Sequence, residues 1–112
     1  MTLRKFERFS VAGMVTFRSQ SVRGHGRIDN LSLGGAAIAS DAPVSRGEYL
    51  QLTITLPSEP ATIDVELAPI RWVKPHNFGV EFIRMSPTSL QILQRYIEHL
   101  RAIPKEPASA TS

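Results

Sequence analysis

Hydrophobic and polar positions alternate along most of this chain. From Phe9 the residues Phe9, Val11, Val15 and Phe17 fall on one side, with Ser10, Ala12, Met14 and Thr16 on the other, a period of two that predicts a half-buried strand. Ser19 to Gly26 is polar with two glycines and reads as a turn. Arg27–Leu31 and Ala36–Ala39 follow as short strands interrupted by Ser32-Leu33-Gly34-Gly35. The clearest strand sets Leu50, Leu52, Ile54 and Leu56 against Gln51, Thr53 and Thr55. After Pro57-Ser58-Glu59-Pro60, Ile63, Val65 and Leu67 alternate with Thr62, Asp64 and Glu66. Ile70–Val73 and Phe78–Ile83 read as a hairpin across Lys74-Pro75-His76-Asn77. The period then changes. Ser86 as N-cap and Pro87 in the first turn open a helix to about Ala102, with Leu90, Leu93, Tyr96, Ile97 and Leu100 on its apolar face.

Six or seven short strands followed by one amphipathic helix predict a mainly β domain, a small antiparallel barrel covered by a C-terminal helix. The expected organisation is an N-terminal arm over residues 1–9, the barrel and helix over 10–103, and a polar tail, PKEPASATS, over 104–112.

Composition narrows the class. Of 112 residues 42% are hydrophobic and 21% charged, enough apolar content to build a core. With no cysteine, disulfides, thiol catalysis and thiolate metal sites are excluded. No apolar run approaches a membrane span, and the charged start MTLRKFERF lacks the apolar stretch of a signal peptide, so a cytoplasmic location without membrane insertion is expected.

Charge adds a direction. The net +3 is unevenly placed: residues 1–28 hold Arg4, Lys5, Arg8, Arg18, Arg23 and Arg27 against Glu7 alone. A cationic front on a slightly acidic body points to an anionic partner met near the N-terminus. Enzyme signatures are missing. His25, His76 and His99 have no metal-ligand spacing, and neither a G-x-S-x-G elbow nor a phosphate-binding G-x-x-x-x-G-K-[ST] loop occurs. The expectation is a non-catalytic domain with no metal and no cofactor.

Two motifs remain. Arg4 and Arg8, spaced R-x-x-x-R, carry guanidinium forks that match phosphate oxygens and the O6/N7 edge of guanine. In Asn30-Leu31-Ser32-Leu33-Gly34-Gly35, an amide and a hydroxyl two apart on a strand would share a face, while the glycines would permit positive φ and close approach to backbone N–H groups. The other reading of this segment is an ordinary turn between strands.

In this order and spacing the two motifs resemble the PilZ family of bacterial cyclic di-GMP receptor domains, whose signature is R-x-x-x-R ahead of the first strand and [D/N]-x-S-x-x-G some 20 to 30 residues later. Arg71-Trp72-Val73 before a turn, the Phe78-Gly79-Val80-Glu81-Phe82 strand and the closing helix extend the likeness over nearly the whole chain. The resemblance implies that Arg4 and Arg8 lie on an arm that wraps the ligand, that Asn30 and Ser32 hold a guanine or phosphate, and that Gly35 shapes the turn. Lys5, Gly34 and Trp72 are auxiliary candidates. Asn30 stands where Asp is commoner, and Glu7 sits where it could pair with one of the arginines. The implied function is a receptor or adaptor that changes its surface on binding cyclic di-GMP and signals to a downstream protein, with self-association left open. The alternative is an interaction module of the same fold that does not bind the ligand. A barrel for single-stranded nucleic acid is disfavoured, because Phe9, Phe17, Phe78 and Phe82 fall on inward faces and the strands from Leu50 to Leu67 carry acids, so no DNA partner is expected.

Overall fold

In the computed structural model the described residues are 7–102; the tail and most of the expected arm, including Arg4 and Lys5, lie outside them. Seven strands precede one helix: β1 (Met14–Arg18), β2 (Arg23–Leu31), β3 (Gly35–Ala39), β4 (Tyr49–Thr55), β5 (Ile63–Lys74), β6 (Asn77–Glu81), β7 (Arg84–Met85) and α1 (Pro87–Ala102). The sheet runs β4-β1-β2-β3-β6-β5, and β5 pairs back onto β4, closing a six-stranded antiparallel barrel to which β7 is added beside β5. Closure satisfies the backbone groups that open sheet edges would expose. This is the architecture the alternation predicts.

The alternation acts through the strand's two faces. Val15 and Phe17 of β1, Leu50, Leu52 and Ile54 of β4, and Ile63 and Val65 of β5 point inward and are buried, while Thr16, Gln51 and Asp64 face solvent. Across the interior the rings of Phe17 and Phe78 meet edge to face, 5.3 Å between centroids.

Three details differ from the sequence pattern. The turn expected over Ser19–Gly26 is shorter, because β2 begins at Arg23 and includes Gly24 and Gly26. A Cβ at Gly24 would lie 2.9 Å from the Phe17 ring, and one at Gly26 2.3 Å from the Ala39 carbonyl, so these glycines let neighbours close in and do not break the strand. His25 is therefore a strand residue. The remaining turn is tied to the loop before β4: the Ser19 and Ser21 hydroxyls both donate to a Glu48 carboxylate oxygen at 2.5 Å. These bonds hold the Glu48 carboxyl below its ordinary range.

The two strands read over 63–67 and 70–73 are one 12-residue strand, β5. Register shifts between Val65 and Leu67 and between Ile70 and Trp72 bend it, so its first part pairs with β4 and its last with β6. In α1, Ser86 Oγ accepts the Ser89 N–H at 3.1 Å, the expected cap. The buried stripe is Ser89, Ile92, Leu93, Tyr96 and Ile97, whereas Leu90 is 39% exposed. At 3.6 residues per turn Leu90 falls on one rim of that stripe, and Ile92 completes the opposite rim. Ser89 Oγ also accepts the Asp64 N–H at 2.9 Å, fastening the helix to β5.

Candidate ligand site on the β2–β3–β6–β5 wall

The motif turn is built around Ser32. This residue is 2% exposed; its Oγ accepts the N–H groups of Gly34 and Gly35, each at 3.1 Å, while its own N–H donates to the Gly35 carbonyl at 2.9 Å. The serine is what makes the turn, and its hydroxyl faces the turn's interior, away from the outer face that Asn30 shares. The glycines act differently from the expectation of positive φ: among the described glycines that conformation occurs at Gly47, with φ 89°. Gly35 is required by proximity, since a Cβ there would lie 2.2 Å from the Val80 carbonyl oxygen across the β3–β6 seam. Gly34 accepts the Phe82 N–H at 2.9 Å, so the turn is pinned to the end of β6.

The incoming chain is laid against this turn. Phe9 and Leu31 exchange two backbone hydrogen bonds, 2.9 and 2.8 Å, as an isolated antiparallel bridge. The bridge sets the preceding residue, Arg8, beside β2, where its guanidinium donates to Asn30 Oδ1. Glu7, which the sequence left free to pair with a neighbouring arginine, instead meets Arg101 of α1, with Oε1 3.4 Å from Nε. The second arginine of R-x-x-x-R and the Asn of the second motif, 22 residues apart, are thus in contact.

The wall beyond Asn30 is smooth. A register shift between Ile28 and Asn30 turns the Asn30 side chain outward, and cross-strand pairing sets Asn30, Ala37, Gly79 and Trp72 in one outward row. Three strand spacings of about 4.8 Å make the row roughly 14 Å long. Trp72 leans over the middle of it: a Cβ at Gly79 would lie 2.1 Å from the indole Nε1. The Lys74 ammonium stands 5.3 Å from the Trp72 ring centroid. A parallel row of Arg27, Ala39, Asn77 and Lys74 borders a cleft of about 570 Å³. On the other flank Arg71 grips Glu81, with Nη2 at 2.5 Å and Nε at 2.7 Å from Oε1.

The structure therefore gathers Arg8, Asn30, Ser32, Gly34 and Gly35 at one end of a small-residue platform and sets Trp72 at the far end. Sequence reasoning missed Ala37, Ala39 and Gly79 as the floor. The signal was present, because small residues occupy outward strand positions where polar ones are usual. A larger cleft, about 690 Å³, lies over the opposite wall among Thr16, Arg18, Gln51, Thr53 and Asp64, and contains none of these residues. Among the described residues, no three His, Cys, Asp or Glu side chains gather as a metal site would need, and no helix is long and apolar enough to cross a membrane.

A closed six-stranded barrel with a covering helix, carrying an arginine from its N-terminal segment over an N-x-S-x-x-G turn, defines a class of small β domain. The sequence profile of the PilZ domain matches residues 2–99, and the chain belongs to that family. No curated protein matches it in sequence. Among solved structures, the Bacillus subtilis inhibitor of motility MotI/DgrA superposes with a TM-score of 0.76 at 22% identity, covering 95% of this chain and 55% of that one. Escherichia coli YcgR in complex with c-di-GMP superposes with a TM-score of 0.72 at 20% identity, covering 88% and 46%. At these identities the likeness is one of fold, and the chain spans about half the length of each.

Proposed function

We propose that this domain is a cyclic di-GMP receptor that signals to a partner protein without catalysis. The observation that carries the reading is the contact of Arg8 with Asn30, by which the two halves of the family motif meet at one end of the outer platform. The ligand's guanine edges and phosphates are taken by Arg4 and Arg8, with Lys5 as an auxiliary phosphate contact. Asn30 offers its amide from the wall, and Ser32 acts as a positioning residue that shapes the Gly34–Gly35 turn for the ligand. Trp72 presents an aromatic edge at the far end of the platform. Each charge-assisted hydrogen bond contributes about 1.5 to 3 kcal/mol, so the loss of one is large enough to read in a titration.

The alternative, a PilZ interaction module that does not bind cyclic di-GMP, draws support from the fact that Arg8 and Glu7 already have protein partners, Asn30 and Arg101. Isothermal titration separates the two. Cyclic di-GMP should bind the wild type, and Arg8→Ala should weaken binding at least tenfold, about the loss of one charge-assisted contact. Cyclic di-AMP, with an amino donor in place of the guanine O6 acceptor, should give no heat. Absence of heat with cyclic di-GMP would select the module without a ligand, and equal affinity in the Arg8→Ala variant would overturn the proposed site.

A further inference from the structure

Next to the motif turn, on the side away from the platform, runs a groove of about 440 Å³ between Leu33 and the outer stripe of α1 formed by Gln94, Arg95, Glu98 and Arg101. Its chemistry is mixed. Leu33 is half-buried and packs on the edge of the core, offering an apolar contact at the turn. Arg95 and Arg101 outnumber Glu98 on the helix side, so the groove taken without the N-terminal segment is cationic. One of its lining residues, Arg101, already holds a carboxylate. Glu7, the single acid among residues 1–28, lies against Arg101, both side chains about half exposed at 51% and 55%. The carboxylate of an extended segment on this guanidinium shows which chemistry the groove accepts.

We propose that this groove docks an acidic segment of a partner protein, which lays an apolar side chain against Leu33 and sets a carboxylate on Arg101, and that Glu7 is a built-in competitor for that guanidinium. Glu7 is adjacent in sequence to Arg8, whose guanidinium is held by Asn30. Glu7 and Arg8 are consecutive, so a ligand that draws the segment before Phe9 toward the platform takes Glu7 away from Arg101. The groove is then open to the partner. The coupling of ligand to partner rests on the cyclic di-GMP reading, whereas the competition between Glu7 and an outside carboxylate does not. An exposed ion pair is weak, so the gate is graded and not all-or-none.

The test uses the full chain and a fluorescein-labelled synthetic peptide that repeats Leu-Glu-Glu, followed by fluorescence anisotropy and by backbone amide NMR. Glu7→Gln should tighten peptide binding by about two- to fivefold and Arg101→Gln should weaken it by a similar factor, the range expected for one exposed charge pair. The amide signals of Leu33 and Gln94 should move on titration. Saturating cyclic di-GMP should reproduce the gain in the wild type and add nothing in Glu7→Gln. Unchanged peptide affinity in Glu7→Gln, peptide-induced shifts confined to other parts of the barrel, or binding of phosphatidylglycerol vesicles in preference to the peptide would overturn the proposal. If cyclic di-GMP does not bind while Glu7→Gln still tightens the peptide, the receptor reading fails and the docking groove stands. If cyclic di-GMP binds and Glu7→Gln changes nothing, only the groove is lost.

Discussion

The two outer walls of the barrel obey the same alternation and end with opposite surfaces. Over β1 and β4 the outward positions are Met14, Thr16, Arg18, Tyr49, Gln51, Thr53 and Thr55, mostly polar and largely solvated, with Arg18 Nε donating to Gln51 Oε1 at 2.8 Å. Over β3 and β6 the corresponding positions are Gly35, Ala37 and Ala39 with Gly79 between Asn77 and Glu81, and Ala37 is only 5% exposed although it points away from the core. The first wall would accept many polar residues, since its side chains touch little besides water and one another. The second is made by removing side chains: Trp72 can lie on Gly79, and the Val80 carbonyl can close on Gly35, only because no Cβ intervenes. A small residue at an outward strand position marks a surface on which something else lies.

The sharpest way to break this contrast is to place one new methyl group on each wall, added at Gly35 and exchanged for the hydroxyl at Thr16. Gly35→Ala would drive a Cβ between backbone atoms, 2.2 Å from the Val80 oxygen and 3.3 Å from the Glu81 Cα, where neither neighbour can swing aside. A loss of about 2 to 4 kcal/mol in urea unfolding is expected, against a change within about 0.5 kcal/mol for Thr16→Val on the other wall. Equal effects at the two sites would remove the distinction.

Gly79→Ala should do less damage, because its clash is with the Trp72 side chain, which can rotate off the platform at a cost of about 1 to 2 kcal/mol. Since Trp72 is the only tryptophan, its fluorescence should report that rotation directly. An unchanged emission spectrum would mean that the indole does not rest on Gly79.

The smallest effect belongs to the end of the β1 wall. Glu48 has its carboxyl held below the ordinary value of 4.5 by the Ser19 and Ser21 hydroxyls. A depressed carboxyl stabilises the fold fully above the unfolded value and loses that contribution as pH falls through the lower folded one. Glu48→Gln should therefore be less stable than the wild type at neutral pH, with the gap in melting temperature shrinking below pH 4.5. A gap that widens on acidification would contradict the assignment.

Period two along β1, β4 and the first half of β5 was enough to read the barrel, because burial on one face leaves a mark at every second residue. What escaped the pattern came from tertiary approach. Gly24 and Gly26 look like turn residues until Phe17 and the Ala39 carbonyl are brought against them, and the continuity of β5 through Ala68-Pro69 depends on bulges that shift its pairing from β4 to β6. At the candidate site, Arg8 and Asn30 were legible as motif members, and the structure adds that they touch. The place of Ser32 was legible only in part: a ligand-facing hydroxyl and an ordinary turn were both readings of the segment, and β2 ends at Leu31 with the hydroxyl accepting two turn N–H groups, as the turn requires. The pairing of Glu7 with Arg101 joins residues 94 apart, beyond the reach of any local pattern.

The most direct measurement of the account is a titration of the isotope-labelled chain with cyclic di-GMP followed by two-dimensional NMR. The signals of Asn30, Ala37, Gly79 and the Trp72 indole N–H should shift together and saturate at one ligand concentration, while those of Thr16, Thr53 and Gln51 stay in place. Shifts centred on Thr16 and Thr53, or no shifts on the β3–β6 wall at saturating ligand, would contradict it.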